Sequence, residues 1–393
     1  MNKSFTLIEI LVVLILISVL TTVLIIAIKP ADIFKKSRDS KRISDLKNIE
    51  KIFDLIHNET QGIFSESQYA SLNVVYVSLQ DSSSTCGQWL SQLPPLPSGW
   101  SYRCSATPTN VDGTGWIPIP FNQFSTINLS QLPIDPINKP PYYYSYIVGG
   151  SYELTAKLEI NREEMRNDNG TSDLKYEVGT NLNLDPIYQD RIGLVGYWSF
   201  DDCTAKDLSG NNNNGTLVNG PTCVDGKVGK ALSFDGVNDY VNLGSRVILD
   251  FANDFSVCIW FRLNSGNGIL INNEGKYEWA PNTPSANKIG YAIANSLPGW
   301  NWIASSNFTI NQWQFYCFSY SQTYIIKSYI NGINDYSLQG SGNIGDNHPD
   351  LNNVRIGGRQ YTAQYFNGLI DEVRVYNRAL SDQEIKALYE ATK

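Results

Sequence analysis

Hydrophobic residues dominate the start of the chain. An apolar run extends from Phe5 to Ile28, and Glu9 is its only ionisable side chain. As a helix that rises about 1.5 Å per residue, a run of this length can cross the hydrocarbon core of a bilayer. An amphipathic segment with helical periodicity follows it. The apolar positions of that segment are Ile43, Leu46, Ile49, Phe53 and Ile56. We predict one transmembrane and stalk helix over residues 5–60, with an apolar stripe that packs on a partner surface.

Short strand-like runs replace the helical pattern after residue 60. Residues 61–190 contain such runs between Pro and Gly residues, for example Tyr152–Ile160. From Gly193 onward the strands follow one another closely, and Asn331-Gly332 marks a tight turn between two of them. About two hundred residues with this pattern predict a two-sheet sandwich. The predicted fold class is α+β and multidomain, with a long helix and a small strand-containing head followed by an all-β sandwich.

A secretory signal peptide and a plain membrane anchor are two alternatives for the apolar run. A signal peptide has a shorter apolar core and a small-residue cleavage site, whereas this run is followed by Lys29-Pro30-Ala31. A plain anchor leaves Glu9 unexplained, because an unpaired carboxylate in hydrocarbon costs several kcal/mol. Glu9 therefore favours a helix whose acid meets a positive charge in an assembly.

The residues Ser4-Phe5-Thr6-Leu7-Ile8-Glu9 resemble the cleavage site of type IV prepilins and of type II secretion pseudopilins. The resemblance implies cleavage between Ser4 and Phe5 by a prepilin peptidase, followed by methylation of the new N-terminus at Phe5. It also implies that Glu9 neutralises the terminal amine of a neighbouring subunit in a filament. The family usually has Gly at the position that Ser4 occupies here.

This resemblance implies a pilin fold, in which the long helix packs on a small antiparallel sheet. It divides the chain into a leader at residues 1–4, the helix at 5–60 and a pilin-like head at 61–190. It further implies a single-pass protein of the bacterial inner membrane, with the leader inside and the C-terminus outside. After assembly the protein would belong to a pilus or to the cell surface. The implied partners are other pilin subunits, the prepilin peptidase and the inner membrane.

Three ordered segments of the C-terminal region, Gly196–Asp202, Ala231–Gly244 and Asn367–Glu390, are similar to laminin-G-like, concanavalin A-like jelly-roll domains. The resemblance covers residues 193–393. Members of this fold often hold a structural Ca²⁺, and the resemblance implies Asp201, Asp235 and Asp371 as its ligands. A turn at Asp235 and a salt bridge at Asp371 are the simpler alternatives.

Net charge argues against nucleic acid as a partner. The formal charge is −8, and the pI is near 4.9, whereas binding to phosphates needs a basic face.

His57 and His348 are the only histidines, which leaves little for a Ser-His-Asp or histidine-zinc site. The carboxylate spacing of a glucanase strand is absent from the sequence. We therefore predict that the protein is not an enzyme.

Aromatic residues beside Gly-, Pro- and Asn-rich segments are the candidate ligand contacts. Such residues can act as platforms for carbohydrate, although packing on the surface explains them equally well. The candidates are Trp279, Trp300, Trp302, Tyr361 and Tyr365. The predicted ligand is a carbohydrate or a surface glycoprotein.

The six cysteines show no CxxC spacing, so metal binding by them is not indicated. An even number in an exported chain predicts disulfides, although several connectivities are possible. Pairing between sequence neighbours would join Cys86 to Cys104, Cys203 to Cys223 and Cys258 to Cys317.

Together these features predict a minor pilin that presents a lectin-like adhesion domain, because the C-terminal sandwich is too bulky for repeated stacking in a filament. The main alternative is a pseudopilin of a secretion system that uses the same domain to recognise cargo. A glycoside-active enzyme is a third alternative.

Overall fold

The computed structural model describes residues 8, 11–18, 30–294, 300–321, 323, 325–340 and 342–393. The chain divides into two compact units. Unit 1 contains residues up to Trp89 together with Ser101–Leu184, and unit 2 contains Leu90–Trp100 together with Asp185–Lys393.

Unit 1 is built from a helix and a sheet that share one hydrophobic core. Its elements are α1 (Pro30–Glu59), β1 (Val74–Gln80), β2 (Ser101–Ser105), β3 (Tyr144–Val148), β4 (Tyr152–Ala156), α2 (Arg162–Arg166) and β5 (Tyr176–Gly179). The predicted apolar stripe of α1 does face the core, where Leu46, Phe53 and Ile56 are fully buried. Phe53 lies between Tyr146 and Tyr152, with ring centroids 5.8 and 4.2 Å away.

The sheet of unit 1 departs from the predicted antiparallel pattern. Its strand order in the described chain is β2-β1-β3-β4-β5, and the β1–β2 pair is parallel. The other neighbours are antiparallel. Residues 81–100 join β1 to β2, and a connection of this length permits the crossover that a parallel pair needs.

The prediction of a membrane-spanning helix over residues 5–60, and of a single-pass inner-membrane protein that it anchors, is wrong. Among the residues that the structure describes, no helix is long and apolar enough to cross a membrane. The described helical segments near the N-terminus are residues 11–18 and α1, and α1 carries Lys, Arg, Asp or Glu in nearly every turn. The predicted leader at residues 1–4 and the predicted processing and assembly residues Ser4, Phe5 and Glu9 lie outside the described residues.

Unit 2 is a β-sandwich. Its strands are β6 (Leu194–Trp198), β7 (Thr216–Val218), β8 (Thr222–Asp225), β9 (Lys230–Asp235), β10 (Tyr240–Ser245), β11 (Phe255–Ser265), β12 (Ile271–Asn273), β13 (Tyr277–Pro281), β14 (Lys288–Ile293), β15 (Ile303–Asn307), β16 (Gln314–Tyr320), β17 (Ile325–Ile330), β18 (Ile333–Gln339), β19 (Asn353–Ile356) and β20 (Asn367–Tyr376), and its helix is α3 (Asp382–Thr392). Within the described ranges they form a seven-stranded sheet, β15-β14-β13-β12-β19-β10-β7, and an eight-stranded sheet, β18-β17-β16-β11-β20-β9-β8, with β6 also paired to β20.

The core of unit 2 lies between the two sheets. Alternate residues of many of the strands enter it, among them Val241 of β10, Trp279 of β13 and Phe318 of β16. The predicted tight turn at Asn331-Gly332 joins β17 to β18, and both residues have positive φ angles of 51° and 76°, as a two-residue hairpin turn requires.

All six cysteines lie in the described part of the chain and form disulfides. The pairs are the sequence-local ones, namely Cys86–Cys104, Cys203–Cys223 and Cys258–Cys317. Cys258 of β11 is directly opposite Cys317 of β16 in the eight-stranded sheet. This disulfide therefore joins two neighbouring strands near the middle of the sandwich.

Candidate functional site

A row of polar residues crosses the outer face of the seven-stranded sheet. Asn242 pairs with Arg355, Arg355 with Asn272, and Asn272 with Glu278 on successive strands. The residues next to them along each strand belong to the core between the sheets. Because side chains alternate along a strand, these four point away from the core. We call Asn242, Arg355, Asn272 and Glu278 the polar row.

A tight hairpin brings a second carboxylate to one end of the polar row. Residues 274–276 form the turn between β12 and β13, and Gly275 at its centre has φ +73°, which favours glycine. This turn places Glu274 beside Glu278. Both side chains are fully buried.

Arg359 joins the two carboxylates. Its Nη2 lies 2.8 Å from Oε1 of Glu274, and its Nε lies 3.1 Å from Oε1 of Glu278. Asn272 donates to the same oxygen of Glu278 at 2.6 Å. The side chain of Arg359 is 15% exposed, so the ion pairs are largely shielded from water. We call Glu274, Glu278 and Arg359 the carboxylate cluster.

The two glutamates of the cluster titrate in opposite directions. Burial raises the pKa of Glu278 to about 8, although the charge of Arg359 opposes that rise. Burial would also raise the pKa of Glu274, but hydrogen bonds and charge from Arg359 outweigh it and lower that pKa. At neutral pH, Glu274 is therefore ionised and Glu278 is mostly protonated. Arg359 and Glu274 then neutralise each other.

The carboxylate cluster fixes the loop at residues 357–366, which follows β19. The backbone N–H of Tyr361 donates to Oε2 of Glu274 at 3.1 Å. The N–H of Gln360 donates to Oδ1 of Asn272 at 3.3 Å. Nη1 of Arg355 donates to the carbonyl of Arg359 at 3.0 Å. These bonds hold the loop against the polar row.

Tyr361 extends from this loop into solvent. Its side chain is 63% exposed, and one face of its ring stacks on His348 with centroids 5.2 Å apart and planes 23° apart. The N–H of Asn347 donates to the carbonyl of Gly275 at 2.9 Å, which brings His348 close to the β12–β13 turn. Tyr361 is thus an exposed aromatic ring that is supported on one side.

Two further aromatic rings frame Arg355. Its guanidinium carbon lies 4.3 Å from the centre of the Tyr240 ring, and the Tyr240 and Tyr365 rings stack with centroids 6.4 Å apart. Arg355 is half-buried. We call Tyr240, Arg355, Tyr361 and Tyr365 the aromatic–arginine patch. It combines flat apolar surfaces with one cation, as sites for small polar ligands commonly do.

The predicted ligand residues divide between this patch and other places. Tyr361 and Tyr365 belong to the patch. Trp279, predicted as a ligand contact beside a Gly-, Pro- and Asn-rich segment, is instead at the centre of β13 and only 1% exposed in the core. Trp300 and Trp302 are half-buried residues just before β15. Ile303 pairs with Tyr291 and packs toward the core, so alternation directs Trp302 to the outer face.

The three predicted Ca²⁺ ligands are not brought together, since no group of three or more His, Cys, Asp or Glu side chains in the described ranges is arranged to hold a metal ion. Asp371 accepts the N–H groups of Lys227 and Val228, each at 2.9 Å. Asp201 accepts the N–H of Lys230 at 3.0 Å. Asp235 forms its own turn, because it accepts the N–H groups of the residues two and three positions later. Calcium binding stays a prediction.

Sequence reasoning missed Arg355, Tyr240 and the carboxylate cluster. The signal for the cluster is two Glu residues on either side of a Gly turn, at positions 274 and 278, whereas the glucanase pattern places its acids along one strand. Arg355 and Tyr240 come close only through the pairing of β19 with β10. Nothing in their spacing along the chain indicates that contact.

Comparison with known proteins places the similarity in the jelly roll. Residues 235–386 match the model of the concanavalin A-like lectin/glucanases superfamily. Paraclostridial mosquitocidal protein 1 of Paraclostridium bifermentans is 25% identical, over 47% of this chain and 16% of that protein. This chain thus spans only a small part of that relative's length. The C-terminal region is a concanavalin A-like jelly-roll domain, as its sequence predicted.

Two solved structures resemble the same region. The binding domain of Paraclostridial mosquitocidal protein 1 is 20% identical with a TM-score of 0.44, over 51% of this chain and 52% of that one. Domain 4 of the arabinanase AbnA from Geobacillus stearothermophilus, solved with arabinotriose, is 21% identical with a TM-score of 0.41, over 50% of this chain and 98% of that one.

The structure of the mosquitocidal protein that resembles this region is that of its binding domain. That this chain is not an enzyme stays a prediction. None of the relatives named here is a pilin or a pseudopilin, so they give no support to a pilin, prepilin or pseudopilin identity.

Proposed function

We propose that this protein binds carbohydrate through its jelly-roll domain, and that the aromatic–arginine patch is the binding surface. The observation that carries the proposal is the arrangement of Tyr361. Its ring is 63% exposed, stacked on His348 and held through its backbone N–H by the buried Glu274. A flat sugar face is a suitable partner for an exposed ring that is supported in this way.

The supporting structure favours a rigid site over a flexible one. Arg359 is held by two carboxylates, and the loop that carries Tyr361 is bonded to Asn272 and Arg355. A surface that is already ordered loses less entropy when a ligand binds. The match to a superfamily of lectins and glucanases supports a carbohydrate as the ligand.

The proposal concerns binding alone. Display on a pilus and recognition of cargo in a secretion system both depended on the N-terminal helix as a membrane span, and the structure contradicts that span. The proposed ligand is a free carbohydrate or the glycan of a glycoprotein.

The test is a glycan array probed with the full chain, followed by titration of the glycans that bind. Replacing Tyr361 by Ala should weaken binding by about tenfold or more, because removal of a central aromatic contact has effects of this size. Tyr69→Ala is the matched control, since Tyr69 is 38% exposed and lies in unit 1. The proposal fails if no glycan is retained, or if Tyr361→Ala binds as tightly as the unchanged protein.

Trp300 and Trp302 give a second set of variants for the same assay. Their replacement by Ala should also abolish glycan binding while the fold is retained. Unchanged binding would remove these two tryptophans from the site and leave the patch as the binding surface.

A further inference from the structure

Arg355 is a cation on the outer face of the seven-stranded sheet. Arg359 is paired with Glu274, and Glu278 holds its proton at neutral pH because burial raises its pKa to about 8. Arg355, by contrast, forms no ion pair within the part of the chain that the structure describes. The polar row therefore has a net positive charge at Arg355 near pH 7.

The guanidinium of Arg355 is held in place by one of its edges. Nη1 donates to the carbonyl of Arg359, and the flat face lies on the Tyr240 ring at 4.3 Å. Among the described residues, Nε of Arg355 is buried without a hydrogen-bond acceptor. That nitrogen is shielded from solvent, and because Arg355 as a whole is half-buried, a ligand would meet the guanidinium at its terminal nitrogens.

The chemistry of that edge selects one kind of acceptor. A guanidinium edge presents two parallel N–H groups, and a carboxylate accepts both of them at once. A hydroxyl group of a neutral sugar accepts only one. Arg355 is hydrogen-bonded to the loop that carries Tyr361. It donates to the carbonyl of Arg359, which lies two residues before Tyr361 in that loop. Arg355 is therefore held against this loop.

We propose that the aromatic–arginine patch binds a carbohydrate with a carboxylate group, such as a uronic acid or sialic acid residue, and that Arg355 binds that carboxylate. This inference rests on the proposed function. In this arrangement Tyr361 contacts an apolar face of the sugar, and Tyr240 and Tyr365 keep the guanidinium in position.

The experiment is calorimetric titration of the full chain with matched ligand pairs at pH 7. One pair is an oligosaccharide that ends in glucuronic acid and the same oligosaccharide that ends in glucose. The other pair is sialyllactose and lactose. At least one acidic member should bind about tenfold more tightly than its neutral partner, as expected for a charge-assisted bidentate contact.

The variant Arg355→Met tests the assignment to one residue. It should remove the preference for the acidic ligand, so that the acidic and neutral members of a pair bind the variant with similar affinity. Lys386→Met is the charge-matched control, because Lys386 is an exposed cation on α3, and it should keep the preference. A further measurement uses only the unchanged protein, so it does not depend on whether either variant folds. When the carboxyl group of the acidic ligand is reduced to an alcohol, that ligand should bind with the affinity of its neutral partner.

The outcomes separate the two proposals. Failure of all four ligands, together with an empty glycan array, would overturn carbohydrate binding itself and this inference with it. Equal binding of acidic and neutral members would overturn the inference while carbohydrate binding stands. A preference for acid that survives in Arg355→Met would overturn the role of Arg355.

Discussion

Glu278 illustrates how one buried side chain links the sandwich to the proposed binding surface. Its Oε1 accepts from Asn272 of the polar row and lies beside Arg359, while its Oε2 accepts no hydrogen bond from the described residues. A proton on that oxygen allows the carboxyl group to lie next to Glu274 without repulsion. The raised pKa of Glu278, about 8, is the measurable sign of this arrangement.

Stability should therefore depend on pH through Glu278. The folded pKa of about 8 lies above the ordinary value of 4.5, so between these values the folded state holds a proton that the unfolded state releases. The free energy of unfolding falls as pH rises through this window and is lowest above it. Glu278→Gln keeps an uncharged polar group and should remove about 3 kcal/mol of the fall between pH 5 and pH 8.

Denaturant titration at both pH values measures this effect. Asp350→Asn is the control, because Asp350 is exposed in the same unit, and it should show the wild-type dependence. If Glu278→Gln and the unchanged protein lose equal stability between pH 5 and pH 8, Glu278 is not protonated in the folded protein.

Residue identity alone could not separate binding aromatics from core aromatics. Trp279 and Tyr361 were both predicted to contact ligand, yet Trp279 is buried and Tyr361 is exposed. The difference comes from strand register: Trp279 lies on the inner side of β13 and its neighbour Glu278 on the outer side. A shift of one residue would exchange the two.

Elements with strong local signals were predictable. The final helix α3 begins with a capping box, in which the side chain of Ser381 accepts from the N–H of Glu384 at 3.2 Å and Glu384 accepts from the N–H of Ser381 at 2.8 Å. A Ser followed three residues later by a Glu is the residue pattern of such a box. The turn between β17 and β18 was predictable for the same reason. The parallel β1–β2 pair was not, because its partners are set by the path of residues 81–100.

Ser381→Ala should lower the free energy of unfolding of the jelly-roll domain by about 1 kcal/mol, which is the usual cost of losing a helix N-cap. Ser245→Ala is the control, because Ser245 is an exposed residue of β10 in the same unit. Denaturant midpoints compare the two. A Ser381→Ala midpoint equal to that of the control would mean that the cap contributes nothing to stability.

At the scale of the whole molecule, the part of the chain that the structure describes contains two hydrophobic cores. One lies in unit 1 around Phe53, and the other lies between the sheets of unit 2. No described residue belongs to both clusters. The sequence predicted a boundary between residues 190 and 193 from a change in strand spacing, and that boundary stays a prediction.

Separate cores should give separate unfolding transitions. We expect two transitions in calorimetry of the full chain, and a fragment of residues 185–393 should reproduce one of them, because every member of its core lies within that range. A single transition in the full chain, or an unfolded fragment, would contradict this expectation.

The error in the N-terminal prediction belongs to this scale as well. A run of apolar residues in the sequence was read as one continuous span with the amphipathic segment after it. In the structure, α1 is a charged helix whose buried face includes Asp39 and Arg42 as well as Leu46, and Arg42 is paired with Asp39 and Asp135. Ionic contacts at such sequence separations are not visible in a hydrophobic pattern.

The disulfide between Cys258 and Cys317 also sets how the jelly roll would respond to a mechanical load. Tension applied to the two chain ends passes through that bond and not through the chain between the two cysteines, which are 59 positions apart. This locked segment cannot extend, although it would span about 200 Å if it were fully stretched. Strands β12 and β13, with Glu274 and Glu278, lie inside the locked segment, whereas Arg355 and Tyr361 lie outside it. Under force, Glu274 and Glu278 of the carboxylate cluster are thus protected by the disulfide. The loop that carries Tyr361 is not protected and can be pulled away from them.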